Sequence, residues 1–187
     1  ELPSGLRTTG AVAADSVTAR LDANSYSANG VDVDFKALQL SPDTNSTPLR
    51  LLVSQLETDL GKQTLTVDGF NVSALGLKAS GKFAIVNMID NPQLAGVLDI
   101  LALNPKQLMK VLGLPPVATA DPKALTSLTA KTTFKASPNS LSFRPLSLKL
   151  DNIKIGGAID ISDIQALKGI NFNLNAGSLN ADRYLPR

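Results

Sequence analysis

Apolar and polar residues alternate at period two through most of this chain, and that pattern commits it to half-buried β-strands. Val31, Val33 and Phe35 alternate with Asp32, Asp34 and Lys36. Ala130, Thr132, Phe134 and Ala136 oppose Lys131, Thr133 and Lys135. Ile170, Phe172, Leu174 and Ala176 alternate with Asn171, Asn173 and Asn175. Each is a strand with one oily and one wet face.

Between these lie further strand signals. Gly10 to Ala23 reads as one weak strand, and Asn24 to Gly30 as turn chemistry. Ser41 to Pro48 reads as a loop. Leu49, Leu51 and Val53 alternate, whereas Leu52, Leu56 and Leu60 mark the other parity, so a bulge is expected near Ser54. Leu65 and Val67, Phe70 and Val72, and Leu75, Leu77 and Ala79 continue the series, followed by a strand from Gly81 to Met88 carrying Phe83 and Ile85. Asp90 to Pro92 turns the chain. Leu94 to Leu103 is apolar on both parities, so both of its faces are expected to be covered. Leu141, Phe143, Leu146, Leu148, Leu150, Ile153, Ile155, Ile159 and Ile161 complete the set, with Gly156-Gly157 as a break or bulge.

Two short helices interrupt the strands. Asn104 caps and Pro105 opens the first, at 104–113, in which Leu108, Val111 and Leu112 form a stripe and Gly113 supplies the stop. Asp121-Pro122 repeats the cap-then-proline device and predicts a second helix over 121–128. The total is about ten or eleven strands, and turn signals every 8–12 residues or so argue an antiparallel meander.

Composition excludes several functions. The chain has neither His nor Cys, which removes thiolate and imidazole metal sites, cysteine nucleophiles and His-dependent triads. Its 18 basic and 16 acidic residues nearly balance and aromatics are 4%, so the stacking aromatics and clustered cations of a nucleic-acid binder are missing. No 18-residue apolar run is present to span a membrane, and the opening Glu1-Leu-Pro-Ser reads as the interior of a longer protein. Asp32 and Asp34 share a strand face, but as a solvated pair rather than a glycosidase dyad. No nucleophile elbow, Ser-x-x-Lys site or phosphate loop occurs, so no enzyme and no cofactor is expected.

An antiparallel sheet of this length leaves an apolar face that two short helices cannot cover. Either a second sheet packs on it, closing a sandwich or barrel, or the face lines a groove that receives an apolar ligand.

Five segments, in order, resemble the AsmA family of Gram-negative envelope proteins. Asn91-Pro-Gln-Leu-Ala-Gly96 is similar to a strand start of that family. Asn104 to Gly113 with Leu114-Pro115 resembles its helix ending in Leu-Gly-Leu-Pro. Ala118-Thr-Ala-Asp-Pro-Lys-Ala-Leu125 resembles the entry to its second helix. Ser147-Leu-Lys-Leu-Asp-Asn-Ile-Lys-Ile-Gly-Gly157 resembles a strand pair, with Asn152 where a second Asp is common. Leu179-Asn-Ala-Asp-Arg-Tyr-Leu-Pro186 resembles the closing motif. The likeness covers about Val67 to Pro186.

The resemblance implies a mainly β fold: a curled antiparallel sheet forming an apolar groove, with 1–187 as a single domain or a fragment of a longer β-groove body like that of TamB-like relatives. It implies a periplasmic segment of a protein anchored to the inner membrane through an N-terminal helix outside this sequence. The implied role is to shield phospholipid acyl chains on the way to the outer membrane; the alternative is an assembly scaffold for outer-membrane proteins acting through sheet edges at Gly30 to Ala37 and the last strand. Parity together with the resemblance nominates as lipid-lining residues Phe70, Val72, Leu75, Leu77, Phe83, Ile85, Phe134, Phe143, Leu148, Leu150, Ile153, Ile155, Phe172 and Leu174. Arg183 and Tyr184 are expected to act as a structural end-cap.

Overall fold

The computed structural model describes residues 7–39, 47–111, 113–115, 117–164, 169–178 and 180–185. Its strands are β1 (Arg7–Ala13), β2 (Ser16–Arg20), β3 (Ser25–Gln39), β4 (Thr47–Asp59), β5 (Thr64–Ala74), β6 (Leu77–Val86), β7 (Gln93–Leu103), β8 (Leu128–Ser137), β9 (Ser140–Leu150), β10 (Ile153–Ser162) and β11 (Gly169–Ala176). They form one 11-stranded antiparallel sheet in meander order, with β1 and β2 lying end to end along β3. The sheet curls but does not close, so β1 and β2 form one edge and β11 the other. Every substantial contact between strands is with a hydrogen-bonded neighbour. Among the described residues no second sheet covers either face, which settles the choice between sandwich and open groove.

Register explains the faces. Residues paired directly across an antiparallel ladder point to the same side. Val33 pairs with Leu51, Leu51 with Val72, Val72 with Ala79, Ala79 with Ile100, and Ile100 with Ala130. Ala130 pairs with Leu148, Leu148 with Ile155, and Ile155 with Ala176. One apolar row therefore crosses the sheet unbroken from β3 to β11.

The phase change expected near Ser54 is present and shared. Val53 pairs with Phe70 and Leu56 with Val67, leaving Ser54 and Gln55 beside Asp68 and Gly69. Gly69 takes φ +98 there, a backbone shape that favours glycine. The same step occurs in β3 between Ala28 and Val31, so three strands change phase together and their apolar residues stay on one side. The strand expected over Gly10 to Ala23 is split by the same discontinuity into β1 and β2. Ser25 to Gly30, read as turn chemistry, is instead strand, because β2 and β4 both pair with it; the turn itself is 21–24.

Two glycines on the apolar face lie opposite phenylalanines. Gly81 pairs with Phe70, and Gly96 with Phe83 and Phe134. Phe70 and Phe83 meet edge to face, their centroids 6.1 Å apart, a favoured aromatic geometry. A Cβ on Gly96 would overlap the Lys82 carbonyl oxygen and the Phe83 backbone. Gly96→Ala is therefore expected to lower stability by about 1–3 kcal/mol through overpacking, readable in a urea unfolding curve.

Helix α1 (Pro105–Val111) follows β7. The Asn104 Oδ1 accepts the Gln107 N–H at 3.0 Å, as an N-cap should. Gly113 takes φ +68, and the Leu114 N–H donates to the Met109 carbonyl at 2.9 Å, a Schellman closure. Leu112 lies outside the described residues.

The second helix does not form. Residues 122–125 make a single turn, in which the Ala124 N–H donates to the Asp121 carbonyl. Leu125 then takes φ +58, and the next N–H groups go to the Asp151 carboxylate rather than to helix carbonyls: Leu125 at 2.9 Å, Thr126 at 3.0 Å and Ser127 at 3.1 Å. A carboxylate from across the sequence outcompetes the local helix.

Other boundaries shift as well. Thr47 and Pro48, read as loop, open β4, and 41–46 lie outside the described residues. Leu75 and Gly76 are not strand but a two-residue hairpin turn with φ +55 and +77, the type I′ geometry favoured between twisted strands.

Candidate functional site

The apolar face is the candidate site. From β3 to β11 the residues paired in register on it include no charged side chain; its side-chain polar atoms are the hydroxyls of Tyr26, Thr58 and Thr132. All the phenylalanines, Phe35, Phe70, Phe83, Phe134, Phe143 and Phe172, point to it. Only the small or central side chains Val53, Val67, Ala79, Ala130 and Ile153 are buried on it, and no large side chain anywhere in the described chain is fully enclosed. Most of the rest are half-buried. Among the described residues no second sheet packs above them, so much of that screening comes from neighbours on the same face.

The opposite face is wet and cross-linked by ion pairs. Arg50 holds Asp32 through two hydrogen bonds of 3.1 and 2.7 Å, which pulls the Asp32 carboxyl below its ordinary value. Lys131 meets Asp99 at 3.0 Å, and Arg144 holds Asp160. Asp32 is therefore engaged in a structural pair. On β7 the outward residues Val97 and Leu101 are 42% and 53% exposed, so the expected second covering of that strand is absent among the described residues. Shallow hollows of about 440 and 410 Å³ lie over Val97 on this side, and a polar one of about 420 Å³ lies between β2 and β5. They are pleats between short side chains; the apolar face offers breadth instead of a pit.

Every nominated lining residue except Leu75 lies on the apolar face: Phe70 and Val72 on β5; Leu77, Phe83 and Ile85 on β6; Phe134 on β8; Phe143, Leu148 and Leu150 on β9; Ile153 and Ile155 on β10; Phe172 and Leu174 on β11. Leu75 sits in a turn at the rim. The face also includes residues the nomination passed over, among them Leu51, Val53, Leu98, Ile100 and Ile159. Alternation was legible for most of them. On β7 it was not, because Val97 and Leu101 mimic a second oily side.

The two rims differ. At one, here the cap rim, α1, the segment 113–127 and a 3-10 turn (Ala181–Tyr184) are tied together. The Arg183 Nε donates to Asp121 at 2.8 Å and its Nη1 to Asn152 at 3.2 Å. The Tyr184 hydroxyl donates to Asp151 at 3.0 Å. The Ala120 N–H donates to the Leu185 carbonyl. Arg183 and Tyr184 thus lock the last described turn onto the sheet. Burial pushes the Asp151 carboxyl up, but the three backbone N–H groups and Tyr184 together outweigh it and hold it below the usual carboxylate range. At the other rim, the hairpin rim, turns at 21–24, 60–63 and 87–92 stand side by side. The Leu60 N–H donates to Asn24 and the Met88 N–H to Gln63.

These features define an open, single-layer β-groove. Comparison with family models, curated proteins and solved structures found no match.

Proposed function

We propose that this chain is a segment of an AsmA-like periplasmic envelope protein, anchored to the inner membrane by a helix outside this sequence, and that its groove shields phospholipid acyl chains in transit toward the outer membrane. The supporting observation is the charge-free apolar face, continuous over nine strands from β3 to β11 and, among the described residues, uncovered by a second sheet. The motif resemblance supports the envelope compartment. At about 4.8 Å per strand step the face extends roughly 40 Å across the sheet, more than the ~15 Å depth of one leaflet's hydrocarbon.

Each acyl CH₂ withdrawn from water is worth about 0.8 kcal/mol, so a bare chain does not cross an aqueous gap. Leu, Ile, Val and Phe side chains match the bilayer interior, and transfer onto them costs little either way. No charge on the face pins a tail, so chains slide, while headgroups stay in water at a rim.

The test is phospholipid copurifying with the protein, measured by mass spectrometry. Phe172 is 70% exposed on the open edge strand. Phe172→Glu leaves its charge solvated, so it is expected to move the melting temperature by less than about 2 °C while cutting bound lipid several-fold. Photocrosslinking from Ile155 should yield lipid adducts. Wild-type protein free of lipid and inert to crosslinking would sink the reading.

One observation favours the alternative, an assembly scaffold for outer-membrane proteins. The 8-residue edge strand β11 contains no charge and no proline, and Ile170, Phe172 and Leu174 on it are 52, 70 and 42% exposed. Such an edge invites a further strand. The other nominated edge, Gly30 to Ala37, lies in β3, which is paired on both sides, and offers none. Lipid-free protein that binds unfolded barrel strands through β11 would favour this reading.

A further inference from the structure

The two rims differ in charge: the cap rim carries an excess of cations, whereas at the hairpin rim Asp22, Asp59 and Asp90 are balanced by Arg20, Lys62 and Lys135. At the cap rim Lys78, Lys110, Lys123, Lys149 and Lys154 are exposed and, among the described residues, within salt-bridge distance of no carboxylate. Lys149 and Lys154 sit directly opposite each other on β9 and β10, an arrangement that repels unless an anion intervenes; like Lys78, they alternate with groove-facing residues and so project at the rim from the wet face. The nearby carboxylates are engaged, Asp121 by Arg183 and Asp151 by backbone N–H groups and Tyr184, although Asp182 stands exposed. Between Lys110 and Lys123 the chain also exposes Leu114 and Val117, so cations and apolar side chains are interleaved as at a lipid interface.

The hairpin rim has no such excess of cations. Three of its turns place an exposed apolar residue beside an aspartate: Leu21 with Asp22, Leu60 with Asp59, and Ile89 with Asp90; the β8–β9 turn at 138–139 on the same rim does not. Lys62 is spent on Asp59, leaving Arg20 and Lys135 as the cations there.

We infer that the cap rim is the headgroup rim, and that the groove selects lipids whose headgroups carry net negative charge, with their chains lying across the apolar face toward the hairpin rim. The inference rests on the groove holding acyl chains. The hairpin rim has no comparable excess of cations to hold the same headgroups, which orients the lipid as well as selecting it. Attraction between exposed charges is screened over about 8 Å at physiological ionic strength, so the preference fades as salt rises.

The test compares capture, by the full chain, of phosphatidylglycerol and phosphatidylcholine bearing the same fluorescent acyl chain. The expected result is a preference for phosphatidylglycerol of about fivefold or more at low salt, the effect of one or more lysines near the headgroup. The triple variant Lys78→Glu, Lys110→Glu, Lys123→Glu should abolish that preference while leaving phosphatidylcholine capture unchanged. These side chains are exposed, so the variant keeps its melting temperature; circular dichroism checks this. Inorganic phosphate, matched in ionic strength to chloride, should leave the preference intact. Equal capture of both lipids by the wild type overturns the rim assignment and leaves the groove standing. A preference that survives the triple variant, or that inorganic phosphate removes, also overturns it. Capture of neither lipid overturns both.

Discussion

Val67→Asp is expected to abolish the cooperative thermal transition of this protein. Val67 is 5% exposed, paired with Leu56 on one side and Phe83 on the other, and no side chain on that part of the face can neutralise a carboxylate. An uncompensated charge at such a site costs several kcal/mol, comparable with the ~5–15 kcal/mol that holds a typical domain together. Differential scanning fluorimetry and circular dichroism would read the loss. The informative contrast is with Phe172→Glu. Both changes put a carboxylate on the same face, one at its screened middle and one at its open edge. If Val67→Asp melted like the wild type, the middle of the face would be as wet as the edge, and its screening by same-face neighbours would be wrong.

Asp151→Asn tests the cap rim. Asp151 takes φ +53, a conformation asparagine also tolerates, so the backbone survives the change. The substitution removes the charge that gathers three N–H groups and one hydroxyl, and it turns an amide donor toward other donors. A loss of about 2 kcal/mol follows from charge-assisted hydrogen bonds of this kind, roughly 4–8 °C in melting temperature for a domain this size. The pH dependence carries the sign. The folded-state pKa of Asp151 lies below its unfolded value, so its contribution is complete above the unfolded value of about 3.9 and is lost as pH falls through the folded one. Wild type and variant should therefore differ by a constant amount at neutral pH and converge only in strong acid. A difference that vanished near pH 6 would mean another group is responsible.

The strands of this fold were legible from alternation because each has one dry and one wet side, and the phase change at Ser54 was visible as a change of parity. Two local readings failed for the same reason, competition from distant partners. The cap-then-proline signal at Asp121-Pro122 is genuine, since Asp121 does accept the Lys123 N–H. The helix stops because Asp151, 26 residues away from Leu125, takes its N–H, and nothing local records that. Likewise Ser25 to Gly30 carries turn residues, yet strands on both sides recruit it. The apolar composition of the groove was readable, and so was the parity of nearly all its lining. The rims were not, because the excess of cations on one side emerges only when a meander sends alternate turns to opposite ends.

That strict back-and-forth has a consequence for how such a chain can change length. A hairpin inserted anywhere in the series adds two strands and lengthens the conduit by about 10 Å. Every later turn keeps its side, so the excess of lysine-bearing tips stays on one rim. A single added strand would transfer it to the other from that point onward. The increment by which this architecture can be extended, while keeping its basic tips on one side, is the pair.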